Sequence, residues 1–181
     1  PAGYREVGCG TVTLYDEEGH RLDTVSSGRA PESKKKTLTA QLDAELSSIL
    51  AVRPDLTVVA IADGAEENWR YFDRRLYDTV TRIVDHGHAC EHLREAMSAY
   101  YGDKNIEGRA QYARFRIVLR DQVGGVDEVI TELGRLSRRL RGKRHKVRRK
   151  RLRSELTYFQ NQRGRMAYAD YQARGLPIGS G

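Results

Sequence analysis

The sequence predicts an α/β protein whose helices gather after its last strand. Three observations carry that expectation. Two short apolar runs, VVAIAD at 58–63 and TRIVD at 81–85, each end in an aspartate and flank a helix-length segment. An alternating stretch near the start turns back on itself. From His88 onward, apolar residues recur at helical rather than strand spacing.

From Tyr4 to Tyr15, Val7, Cys9, Thr11, Thr13 and Tyr15 alternate with Gly8, Gly10, Val12 and Leu14, which reads as a strand. DEEGH, Asp16 to His20, is a turn, and RLDTVSSG returns as the second strand of a hairpin. Pro31 opens a helical stretch with Glu32 near its start and Leu38, Leu42, Leu46 and Ile49 or Leu50 at helical spacing. Pro54 stops it, and Asp55 to Ala62 forms a third strand. Glu66 to Tyr77 is a short helix, Thr79 to Val84 a fourth strand, and His88 to Tyr101 a helix closed by Gly102. A helix from Arg109 to Arg120 is broken by Gly124 and Gly125. Val126, Val129, Ile130, Leu133, Leu136 and Leu140 then form one apolar stripe of a long helix, which carries a basic run at its end, interrupted by Gly142. Leu152 to Ala173 is helical again, with Leu156, Phe159, Met166 and Tyr171 available for burial. The expected organisation is an α/β portion over 1–101, a helical insertion with a basic arm over 102–157, and a return helix with a closing loop over 158–181.

Composition narrows the function. With 39% hydrophobic and 31% charged residues over 181 positions, the chain can bury one core, yet no apolar run approaches the roughly 20 residues that cross a bilayer. GYREVGCG lacks the basic start and apolar stretch of a secretory leader. Two cysteines, Cys9 and Cys90, cannot make a disulfide framework, which suits a reducing cytoplasmic home. Pro1 and the closing Gly179-Ser180-Gly181 read as cut ends, so an interior fragment is expected. Arg138, Arg139, Arg141, Lys143, Arg144, Lys146, Arg148, Arg149, Lys150, Arg151 and Arg153 fall in one stretch without an acid. Removing those eleven charges from the net +7 leaves the remainder at −4. Basicity concentrated this way points to a polyanion, most often nucleic acid, with a solvated surface helix as the alternative.

The aspartates at the strand ends carry the chemistry. Apolar strands joined by a helical crossover are parallel neighbours about 4.8 Å apart, and both finish on one edge, where open α/β sheets place their ligands. Asp63 and Asp85 meet there, an arrangement that is costly unless something positive lies between them. Hard cations such as Mg²⁺ take oxygen ligands and support phosphoryl transfer, with two ions about 3.5–4 Å apart. The alternative is that each aspartate caps the helix that follows it.

Other clusters point elsewhere. His86, His88, Cys90 and His92 are close enough in sequence to suggest zinc, but on a helix only His88 and His92 share a face. No GxxxxGK[ST] loop appears, and Ser180 has no histidine near it in sequence to make it a nucleophile. Trp69 reads as packing rather than a stacking platform.

Beyond spacing, GYREVGCGTVTLYDEEG at 3–19, IADGAEENW at 61–69, DHGHACEHL at 85–93 and YFQNQRGRMAYADYQARGLPIGSG at 158–181 together resemble the ISKra-type insertion-sequence transposases. The resemblance covers essentially the whole chain. It implies a ribonuclease-H-like mixed sheet, here without its first strand, and a helical insertion after the last strand. It also implies a triad of acids that cuts and joins DNA with Mg²⁺ or Mn²⁺. Asp63 matches the middle acid, while Asp85 and His88 match a D-x-x-H element that accompanies it. His88 then orients Asp85 or touches a phosphate, with a satisfied core histidine as the alternative. The first and last acids of the family fall before GYRE and after GLPIGSG, so this piece is expected to be inert by itself. In that closing motif Pro177 stiffens the approach and Ser180 can cap a following helix. The implied partners are transposon ends and target DNA, with no membrane, and a homo-oligomer in the full-length protein at the nucleoid. The rival reading is a non-enzymatic nucleic-acid-binding protein on a decayed nuclease fold.

Overall fold

The computed structural model describes residues 8–30, 35–76 and 79–179. The chain divides into two compact units, Pro1–Val58 with Arg70–Val80, and Val59–Trp69 with Thr81–Gly181. The predicted strand start at 4–7 and helix start at 31–34 lie outside the described residues.

In the first unit, β1 (Gly8–Tyr15) and β2 (Arg21–Arg29) pair antiparallel, as the alternation predicts. The turn closes through the Asp16 N–H to the His20 carbonyl at 3.0 Å and the His20 N–H to the Asp16 carboxylate at 2.7 Å. Helix α1 (Lys36–Val52) lies on this hairpin, and Leu42 Cδ1 sits 2.6 Å from where a Cβ on Gly10 would stand. Only glycine lets the helix approach so closely. The rear of helix α2 (Glu66–Arg75) is tied in by Tyr71, whose hydroxyl donates to Asp43 at 2.7 Å, and by Arg75, whose guanidinium meets the same carboxylate at 2.7 Å.

The third strand is shorter than the sequence suggests. After Pro54 the Arg53 guanidinium forks onto Asp55 at 2.7 and 2.9 Å and the Leu56 N–H turns back to Arg53, so extended pairing starts only at Val59. In the second unit β3 (Val59–Ala62) and β4 (Thr81–Val84) are parallel, with Ala62 opposite Val84. The sequence predicts one continuous sheet. Among the described residues the strands instead form two separate pairs, because the hairpin and the crossover each satisfy only their own partners.

Helices then follow without further strands, as expected: α3 (His86–Tyr101), α4 (Ile106–Asp121), α5 (Gly125–Arg139), α6 (Lys146–Gln162) and α7 (Tyr168–Ala173). The predicted stripe of α5 is the core of this unit: Val126, Val129, Leu133, Leu136 and Leu140 are buried, and Ile130 is half-buried. They pack with Leu93, Met97, Phe115, Leu119, Leu152 and Phe159 in a buried cluster worth about 2–5 kcal/mol per large side chain removed. Helix α4 begins at Ile106 rather than at Arg109, and the last long helix differs from the sequence reading at both ends. The helix expected from Leu152 to Ala173 begins at Lys146, because Lys and Arg are good helix formers that leave no apolar period to read. It stops at Gln162, where Arg163–Arg165 tightens into a 3₁₀ turn around Gly164 before α7. No helix among the described residues is long and apolar enough to cross a membrane.

Candidate functional site

Parallel pairing carries Asp63 and Asp85 to neighbouring strand ends. The ladder continues one step past Ala62 and Val84, for the Asp85 N–H donates to the Ala62 carbonyl at 2.8 Å. Asp63 is exposed, and its Oδ1 accepts from the Ala65 N–H and from Asn68 Nδ2, both at 2.9 Å. Asp85 is half-buried and caps α3 through its Oδ1, which accepts from the His88 N–H at 3.1 Å. Asp85 thus caps α3 from the strand end next to that of Asp63, and the cap explains why α3 begins at His86 rather than at His88.

The closing loop runs to the same edge. The His86 N–H donates to the Ile178 carbonyl at 2.9 Å, and a Cβ on Gly179 would stand 4.0 Å from Asp85 Oδ2. A glycine here leaves the carboxylate uncovered. Ser180 lies outside the described residues.

Helix α6 grips the Asp63 turn from the other side. The Tyr158 hydroxyl donates to the Asp63 main-chain carbonyl at 3.1 Å, and Gln162 Nε2 donates to the Gly64 carbonyl at 2.9 Å. Tyr158 stacks on His92 with ring centroids 3.6 Å apart, and His92 Nδ1 meets Glu155 Oε2 at 2.6 Å. Burial pushes the Tyr158 phenol well above the usual tyrosine range, and the carboxylates of Asp63, Asp85 and Glu155 push it further. Three acids thus act on one hydroxyl, which stays protonated and a donor at neutral pH.

The histidines divide between two faces of α3. His88 is half-buried; its ring stands 4.9 Å from that of His92, and its Nδ1 lies 3.2 Å from Glu91 Oε2. Asp85 is held by the main-chain N–H of His88, not by its imidazole. On the other face, His86 Nε2 lies 3.5 Å from Cys90 Sγ and the His86 ring meets Tyr168 edge-on at 5.0 Å. Burial pushes the Cys90 thiol up to about 11, and burial ahead of Arg120 and Arg116 lowers His86. These are core groups, and no three of the four residues converge as metal ligands among the described residues. Trp69 is buried as expected, with the Arg165 guanidinium 4.6 Å over its ring. In the first unit Asp16, Glu18 and His20 lie close together, and Asp16 and His20 are bonded to each other in closing their turn.

The basic run spreads over the end of α5, a 3₁₀ turn at Lys143–His145 and the first half of α6. Not all of it faces solvent. Arg148 Nε donates to the Ala99 carbonyl at 3.1 Å, Arg149 to the Leu140 carbonyl at 3.3 Å, and Arg151 pairs with Glu95 at 3.0 Å. These bonds hold α6 against α3 and the end of α5. Arg141 Nε donates to the Arg138 carbonyl at 3.3 Å and Arg144 Nε to His145 at 3.0 Å. Arg138, Arg139, Arg141, Lys143, Arg144, Lys146, Lys150 and Arg153 are exposed, and Lys146, Lys150 and Arg153 share one face of α6.

Sequence reasoning missed Tyr158, Gln162 and Glu155, and weighed His92 only as a zinc ligand. The spacing of His88 and His92 marked the face, but nothing local links either to Tyr158. A scan against protein-family models and searches of curated proteins and of solved structures return no match to this chain.

Proposed function

We propose that the chain contributes to metal-dependent cleavage and transfer of DNA strands, as part of a ribonuclease-H-like catalytic domain of the ISKra transposase type. The observation that carries this reading is the delivery of Asp63 and Asp85 to adjacent ends of two parallel strands. Two carboxylates so placed repel one another and favour a cation between them. The donor chemistry fits a hard ion: both groups offer carboxylate oxygens, and Asp63 Oδ1 is already fixed by two donors. Mg²⁺ or Mn²⁺ held there would activate a water or 3′-hydroxyl and steady the leaving oxygen. The residues of this chain supply the rest. Asp63 and Asp85 hold charge at the strand ends, Asn68 and the Ala65 N–H aim Asp63, and Lys143, Lys146, Lys150 and Arg153 bind phosphates without reading sequence. Under this reading further acids lie outside these residues, and the partners are transposon ends and target DNA, in a homo-oligomeric assembly at the nucleoid.

The test is binding rather than turnover. Mn²⁺ should bind the chain, Asp63→Asn should abolish that binding, and affinity for a DNA duplex should persist in the variant. The exposed basic face also suits the second reading, a non-enzymatic polyanion binder. In that case Mn²⁺ binding is absent and Asp63→Asn changes nothing.

A further inference from the structure

We infer that Tyr158 and Gln162 are positioning residues for the Asp63 carboxylate, so that the seat of a divalent ion depends on the helix that carries the basic face. This rests on the reading of Asp63 and Asp85 as ion ligands. Asp63 lies on a short turn between β3 and α2, and an exposed turn of this kind is free to shift unless its main chain is held. Tyr158 and Gln162, one helical turn apart on α6, bond consecutive carbonyls of that turn, those of Asp63 and Gly64. The carboxylate itself is bonded within the turn, to Ala65 and Asn68. The orientation of the Asp63 side chain is therefore set locally, and the place of the whole turn is set by α6.

Tyr158 is itself held from behind. His92 stacks flat under the phenol, with 19° between the rings, and Glu155 holds His92 through Nδ1. Arg151 to Glu95 and Arg148 to the Ala99 carbonyl continue the junction of α6 and α3 toward the basic end. Moving along α6, the partners on α3 progress from residue 99 to 95 to 92, so the two helices run antiparallel. The residues that bind phosphate and those that fix Asp63 therefore lie on one rigid element. A polyanion bound at Lys146 and Lys150 stands at a fixed offset of about 12–18 Å along the helix from Tyr158, by the 1.5 Å rise per residue.

The experiment compares the 181-residue chain with Tyr158→Phe, Gln162→Leu and Asp63→Asn, titrating Mn²⁺ by electron paramagnetic resonance and recording thermal unfolding and affinity for a DNA duplex. Tyr158→Phe keeps the ring on His92 and removes only the donor. Loss of an outer-shell partner typically weakens metal affinity 10- to 100-fold, so about 10-fold is expected for Tyr158→Phe and for Gln162→Leu. DNA affinity should be unchanged and the Mn²⁺ signal altered without a matching loss of melting temperature. Mn²⁺ affinity equal to the parent in both variants, with Asp63→Asn abolishing it, overturns the inference while leaving the carboxylate reading intact. Affinity that falls only in step with melting temperature makes Tyr158 a packing residue and overturns it as well. If Asp63→Asn binds Mn²⁺ as the parent does, the carboxylate reading fails, and the inference with it.

Discussion

The phenol of Tyr158 donates to the main-chain carbonyl of Asp63 at 3.1 Å, across 95 positions of sequence. Packing alone does not require a half-buried hydroxyl to bond a backbone oxygen beside three carboxylates. The consequence of this bond is that the turn bearing Asp63 cannot move independently of α6.

Gly64 is where that constraint is most exposed to mutation. Its φ is +95°, and a Cβ would stand 3.0 Å from Tyr158 Cε2 and Oη. Gly64→Ala therefore combines left-handed strain with a clash, and should cost about 1–3 kcal/mol. Thermal unfolding measures the loss, and Mn²⁺ affinity should fall with it because Tyr158 must be displaced. A melting temperature equal to the parent would show that the turn is loosely held.

The basic run should divide into two classes. Replacing Lys143, Lys146, Lys150 and Arg153 with Ala should weaken duplex DNA binding and lower the slope of log affinity against log salt by about 0.9 for each phosphate no longer neutralised. Arg148→Ala and Arg149→Ala remove donors to the Ala99 and Leu140 carbonyls, and should lower the melting temperature with a smaller effect on the salt slope. Salt-titrated fluorescence anisotropy beside thermal unfolding separates the two. If all six substitutions behave alike, the bonds of Arg148 and Arg149 are not structural.

The division between those arginines shows where sequence reasoning stops. Asp63 and Asp85 were legible because an apolar run, its terminal acid and the rule that crossover strands pair in parallel are local or topological facts. The α5 stripe was legible for the same reason, as five of its six positions are buried. Within the basic run, however, eleven similar charges carry no period that says which face packs, so neither the start of α6 at Lys146 nor the inward turn of Arg148 could be read. Gln162 is 98 positions from Gly64, and only the packed path of α6 brings them together. Among the described residues the strands pair as two twos rather than as the one sheet expected, since strand order depends on partners that no single strand encodes.

The two thiols should react very differently. Cys9 is exposed, whereas Cys90 is buried beside His86 with its thiol pushed up to about 11 by burial. At pH 8 a thiol reagent should label one cysteine within minutes and the second only after denaturant is added, because the thiolate is the reactive form. The sites can be assigned with Cys9→Ser. Rapid labelling of both thiols in the native protein would place Cys90 outside the core.

The last prediction separates the two roles of Asp85. Asparagine caps helices about as well as aspartate, so Asp85→Asn keeps the bond to the His88 N–H while removing a negative charge next to Asp63. Without divalent ions this should leave stability unchanged or raise it, because like charges at one strand edge repel. Asp85→Ala loses the cap and should cost about 1 kcal/mol. Adding Mn²⁺ should raise the melting temperature of the parent, as any ligand of the native state does, and should do nothing for either variant. If Asp85→Asn keeps the full Mn²⁺-dependent rise, then Asp85 only caps α3, and Asp63 must find its partner acid elsewhere.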